Sequence, residues 1–211
     1  TSGCEMVIDG TELQFITGAN LIIGDTTTGS ITVDGITQLN SNGITGTVTL
    51  NATSAGGVVN FDSVASTFNT LAVNAENGIE MDIDLTTDMG AMTLIADFSS
   101  DGGDVLFDSG ASVVLTSATT ISADRVDITG ASTVADFTST STTTIAELTL
   151  GSSGTLQVDG NMSVTSAFAW SGVGTITTTN SSTFTTDSGV TTDINGFGQY
   201  NLTNVTWNND G

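Results

Sequence analysis

Apolar residues in this chain occupy alternate positions in short bursts and almost nowhere follow a helical spacing. Met6/Ile8, Ile31/Val33, Val59/Phe61, Met81/Ile83/Leu85, Val105/Phe107 and Leu156/Val158 each put aliphatic or aromatic side chains on one face of an extended segment. Hydroxyl, amide and acidic residues take the positions between. Clusters of Gly, Asn, Asp and Ser separate the bursts, which recur about every 10–12 residues. Thr, Val, Ile and Phe suit a pleated, half-buried surface. This cadence predicts an all-β repeat protein.

The bursts also resemble one another. GSITVDG (29–35) aligns with GTLQVDG (154–160), and GVVNFDS (57–63) with GDVLFDS (103–109). Asp62 and Asp108 of the second pair stand 46 residues apart. Two coils in that interval make one coil about 23 residues, a solenoid period. Roughly nine coils then fit, rising ~4.8 Å each, in a rod ~45 Å long. The expectation is a parallel β-helix (solenoid), continuous over residues 1–211, with 1–132 and 133–211 differing in repeat flavour. A closed β-sandwich competes less well, because antiparallel hairpins do not require such self-similar corners. In the solenoid reading Val33, Phe61, Phe107 and Val158 point inward, while Asp34, Asp62, Asp108 and Asp159 lie at the surface or at corners. The recurring Asp-Gly of EMVIDG, ITVDG and LQVDG is read as the corner itself. Asp bonds its own backbone in turns, and Gly reaches positive φ without a steric cost.

Charge narrows the partners. The chain holds 23 acidic residues against one basic residue (Arg125), with no His and no Pro, for a net charge of −22. At 37% hydrophobic composition it carries the apolar residues that a disordered acidic tail lacks. Nucleic acid is excluded as a partner, since binding it takes a cationic surface. An anionic membrane surface is excluded by the same sign, and no apolar run approaches the ~20 residues of a membrane span. Divalent cations, neutral glycans and other protein copies are left as partners. Cys4 is the only cysteine, so no internal disulfide forms. It reads first as a small residue near a chain end, with an intermolecular bridge or lipid attachment as alternatives. TSGC lacks the aliphatic residue three places earlier that usually accompanies lipidation. The chain starts without Met or a signal peptide, which suggests a mature chain or a segment of something longer.

Catalysis is not expected. Polysaccharide-cleaving β-helices use Arg or Lys beside acidic clusters, or Asp pairs with a His. Here Arg125 stands alone between Asp124 and Asp127. Metal binding is the better chemical candidate. Glu80, Asp82 and Asp84 fall at i, i+2, i+4, and Asp101, Asp104 and Asp108 form a second, loop-borne group. Hard oxygen ligands of this kind suit Ca²⁺, although neither group matches a known calcium loop and a solvated acidic face is the simpler reading. Thr138, Thr140, Thr142 and Thr144 share a strand face, as do Thr175, Thr177 and Thr179. Such rows raise ice binding as a third option, with plain solvent-facing Thr as the simpler one. The Asn-x-Ser/Thr sequons at Asn51, Asn161, Asn180, Asn201 and Asn204 are about as many as composition yields by chance.

Two longer stretches carry a family resemblance. MTLIADFSSDGGDVLFDSGASVVLTSATTISADRVDITG (92–130) resembles the repeats of large bacterial filamentous-haemagglutinin-type adhesins. AFAWSGVGTITTTNSSTFTTDSGVTTDINGFGQYNLTNVTWNNDG (167–211) is similar to a Trp-punctuated β-helical repeat of giant surface proteins, with Trp170 and Trp207 as the punctuation. The resemblance implies a right-handed β-helix at the cell surface or outside the cell. It would be a non-enzymatic segment of an adhesin or fibre, with no catalytic residues to carry over. A cation- or glycan-binding stalk module is the alternative. Neither chain end shows a helical pattern, so an isolated capped monomer is not expected. Either the chain continues into further repeats, or copies stack end to end, with Met6 and Ile8 meeting Trp207.

Overall fold

The chain winds through short strands joined by tight corners. In the computed structural model the described residues are 9–98, 102–107, 112–116, 119–122, 125–128, 134–137, 143–151, 154–158, 160–171, 174–178, 182–195, 201–203 and 206–209. A one-turn helix α1 (Gly10–Leu13) leads to β1 (Leu21–Asp25) and β2 (Ser30–Val33), and a second, α2 (Gln38–Ser41), follows. Next come β3 (Thr47–Ala52), β4 (Val58–Phe61) and β5 (Ser66–Phe68), then β6 (Thr70–Ala75), β7 (Ile79–Met81) and β8 (Leu85–Thr87). The pattern repeats in β9 (Met92–Ile95), β10 (Asp104–Phe107) and β11 (Ser112–Thr116). It repeats again in β12 (Thr119–Ser122), β13 (Arg125–Ile128) and β14 (Val134–Phe137). The longer β15 (Thr143–Leu150) and β17 (Met162–Ser171) alternate with β16 (Thr155–Val158) and β18 (Thr175–Thr177). The last strands are β19 (Thr183–Thr186), β20 (Thr191–Asn195), β21 (Asn201–Thr203) and β22 (Thr206–Asn209).

These strands stack in three sheets. The first is β1-β3-β6-β9-β12, and the second is β2-β4-β7-β10-β13-β15-β17-β19-β22 with β20 also on β17. The third is β21-β18-β16-β14-β11-β8-β5. Pairing is parallel in all three, as in β3 on β6, β4 on β7 and β5 on β8. The result is a parallel β-solenoid of about six turns with little helix. From β15 onward the first two strands of a turn run into one, and the ladder between β15 and β17 shifts between Ile145 and Glu147.

The alternation read from the sequence sets the inside and the outside. Val33, Phe61, Phe107 and Val158 are all buried. Asp34 is exposed and Asp62 half-buried, both just past a strand end, while Asp108 and Asp159 lie outside the described residues. Phe61 pairs with Met81, and Leu106 pairs with Glu80, so Phe61 and Phe107 stand two coils apart in one column. The 23-residue coil is also seen directly, where Asn74 Nδ2 donates to Asn51 Oδ1 at 2.7 Å. The other aligned pair is not equivalent in space. GSITVDG forms β2 of the second sheet, whereas GTLQVDG forms β16 of the third.

The Asp-Gly corner divides into two cases. At Asp34-Gly35 the glycine has φ +64, its N–H donates to Val64 O, and Asp34 Oδ1 accepts from Val64 N at 3.0 Å. One coil on, Ser63 follows Asp62 at φ +58, a region costly for a residue with a Cβ. At Asp9-Gly10, by contrast, the pair starts a helix. Asp9 Oδ1 accepts from Glu12 N at 2.8 Å, and the Glu12 carboxylate accepts from Asp9 N, a capping box. Thr37 and Asn40 make the same reciprocal cap on α2.

Those helices correct the expectation of no helix near the start of the chain. Four residues are too few for a 3.6-residue period to show. The α2 segment ties down the edge of β5, the last strand of the third sheet: Thr67 N donates to Ile36 O at 2.6 Å and Ser41 Oγ donates to Thr67 O at 3.0 Å. Covering an unpaired strand in this way prevents edge-to-edge pairing.

Candidate functional surface

The outer face of the second sheet concentrates the side chains of interest. β7 ends at Met81, so Glu80 points outward from the strand while Asp82 and Asp84 fall in the corner before β8. Their backbones bind that corner to the coil below: Asp82 N donates to Phe61 O at 3.0 Å, and Ser66 N donates to Asp84 O at 3.1 Å. An i, i+2, i+4 carboxylate row needs five extended residues, and the strand supplies three. Among the described residues no three His, Cys, Asp or Glu side chains gather in a way that could hold a metal. Asp104 opens β10 in register with Arg125, the single basic residue. Asp101 and Asp108 lie outside the described residues.

A groove of about 520 Å³ crosses this face beside the corner between the first and second sheets. Its lining includes Val58 on β4, Asn77 and Glu80 around the start of β7, Asp104 and Leu106 on β10, and Glu147 on β15. No motif announced it. The traces left in the sequence are Asn77-Gly78 and Gly102-Gly103, where the backbone enters the strands with Gly78 at φ +128 and Gly102 at φ +118.

The residues proposed for end-to-end contact divide. Met6 and Ile8 lie outside the described residues, as does Cys4. Trp207 on β22 is half-buried in an aromatic cluster, its ring centroid 5.8 Å from Phe168, 6.2 Å from Phe184 and 6.5 Å from Trp170. Its Nε1 donates to Thr186 Oγ1 at 3.3 Å. Ile194 and Leu202 continue the buried columns of Trp170 and Ile176 but are 43% and 44% exposed.

Among the described residues, Asp9 and Asp25 have depressed pKa values for local reasons. The Thr27 hydroxyl and then the Thr27 N–H, both 2.7 Å from Asp25 Oδ1, hold that carboxyl below its usual value. The Thr11 hydroxyl and the Glu12 N–H do the same for Asp9. These are turn and cap interactions. Of the sequons, Asn51 is half-buried in its ladder with Asn74, and Asn161 Oδ1 accepts from Thr183 N at 3.0 Å. Thr144 is exposed, Thr175 and Thr177 are half-buried on β18, and Thr138, Thr140, Thr142 and Thr179 lie outside the described residues.

No protein-family model matches the chain, and no curated protein or solved structure does. The fold class therefore stands on the sheets themselves: this is a β-solenoid repeat protein.

Proposed function

We propose that the chain is a non-enzymatic structural protein, a right-handed β-helical segment of a surface adhesin or fibre that works outside the cell. One observation carries the reading. A single column of the second sheet keeps unbroken backbone register from Thr32 through Asn60, Glu80, Leu106, Asp127, Thr149 and Ala169 to Asp193. A stack of this kind resists unfolding along its axis, because each coil hydrogen-bonds only its neighbours and strengthens them in turn. The nine strands on the path of the second sheet, which count incomplete end coils as well as the six or so full turns, are in keeping with roughly nine coils. Right-handed winding is the general preference of parallel crossovers. The resemblance of 92–130 and 167–211 to adhesin repeats supports the location and the role.

End-to-end assembly is part of the proposal. Exposed Ile194 and Leu202, which extend the columns of Trp170 and Ile176, support stacking against another copy. The test combines negative-stain microscopy of the purified chain with antibody labelling of intact source cells. Rods that join end to end, together with labelling of unpermeabilised cells, support the role. Compact particles with labelling only after lysis refute it.

A further inference from the structure

We infer that the groove on the second sheet is a binding site for a neutral oligosaccharide. This goes beyond the structural role and is independent of it, since the groove lies along the middle of the stack and not at an end. The corner beside it varies most in length from coil to coil. The first-to-second-sheet connection shrinks to a ladder irregularity between Ile145 and Glu147 in β15, whereas β9 ends at Ile95 and β10 starts only at Asp104. In solenoids, insertions map to loops on one face, which is often the binding face. A volume of about 520 Å³ is also that of a ligand site.

The lining chooses the ligand. Among the described lining residues, Asn77 brings amide donors, Glu80, Asp104 and Glu147 bring carboxylate acceptors, and Val58 and Leu106 bring aliphatic carbon. Sugar hydroxyls donate to carboxylates and accept from amides, and the C–H face of a pyranose covers aliphatic carbon. An anionic ligand is repelled by a chain of charge −22. A chelated metal does not fit, because the carboxylates are spread along the groove and not convergent. A simple cation would leave the amide and the aliphatic carbon unused. Four ladder steps separate Val58 from Glu147, ~19 Å at the usual strand spacing, which suits an extended chain of sugars better than one ring.

Isothermal titration of the folded chain with mannohexaose, cellohexaose and galactohexaose tests this, alongside a heparin hexasaccharide as the anionic control. At least one neutral hexasaccharide should bind with a Kd below ~10 mM. Glu80→Gln combined with Glu147→Gln should weaken it at least about tenfold while leaving the melting curve in place. Asp193→Asn, an exposed carboxylate of the same sheet far from the groove, should leave binding unchanged. Binding by none of the three, equal or tighter binding of heparin, or an equal loss in Asp193→Asn would each overturn the inference.

Discussion

Replacing Phe107 by Ala probes the stacked core where it is least able to adjust. The side chain is fully buried on β10, with Ile128 in register above it and Met81 at the equivalent position below. Removing a buried Phe side chain loses its transfer free energy and leaves a cavity, together about 3–5 kcal/mol. The upper half of that range applies, because the parallel ladders hold the coils ~4.8 Å apart and keep neighbours from collapsing inward. Phe98, 51% exposed, serves as the control, and its replacement by Ala should cost less than about 0.5 kcal/mol. Urea unfolding followed by circular dichroism gives both values, provided the slopes match wild type. Hydrogen exchange should show the loss centred on β7, β10 and β13, because a solenoid transmits stability between neighbours. A Phe107→Ala cost below about 1 kcal/mol, or one equal to that of Phe98→Ala, would refute the inward register.

Further predictions concern corners and charge. Gly24→Ala should destabilise more than Gly56→Ala by calorimetry: both sit at positive φ, but a Cβ at Gly24 would lie 2.2 Å from Asn51 O while one at Gly56 meets nothing within 4 Å. Equal melting temperatures for the two would show that the coils do not approach as described. Ser63→Gly should stabilise by up to about 1 kcal/mol, since it removes a positive-φ strain, and a loss measured by urea unfolding would contradict that geometry. Asp25 is held below its ordinary value of 3.8, so its contribution is present above that pH and is lost as pH falls through the depressed value. Thermal melts should therefore decline more steeply below about pH 4 in wild type than in Asp25→Asn, and identical acid limbs would exclude the contribution.

The period-2 alternation made the fold class legible, because in a strand it decides which side chains are buried. Phe61 and Phe107 show this most plainly, since their repeat spacing and their column agree. The helices were not legible as a period. Asp9-Gly-Thr-Glu12 carries only a cap signature, and burial against the next coil finishes the turn. The course of the chain past Met81 was hidden for a similar reason. IEMDIDL reads as one strand, but the chain turns a corner after Met81, and backbone bonds from Asp82 and to Asp84 fix that corner. The groove was hidden because its walls come from coils far apart in sequence, Val58 and Glu147 among them. Trp207 was visible as a large apolar ring, but its partners Phe168, Trp170 and Phe184 depend on three-dimensional stacking.

The backbone column of the second sheet is a direct ruler for a single stack of in-register coils. With Cys4 changed to Ser, nitroxide pairs are placed at Thr32 and, one variant at a time, Thr149, Ala169 or Asp193, and distances are read by double electron–electron resonance. The column puts these partners five, six and seven ladder steps from Thr32. Backbone separations of ~24, ~29 and ~34 Å follow at ~4.8 Å per step. Mean distances should rise in that order by nearly equal increments, with the label linkers adding one common offset. Distances that fall out of order, or that bunch together as in two packed antiparallel sheets, would contradict the single stack.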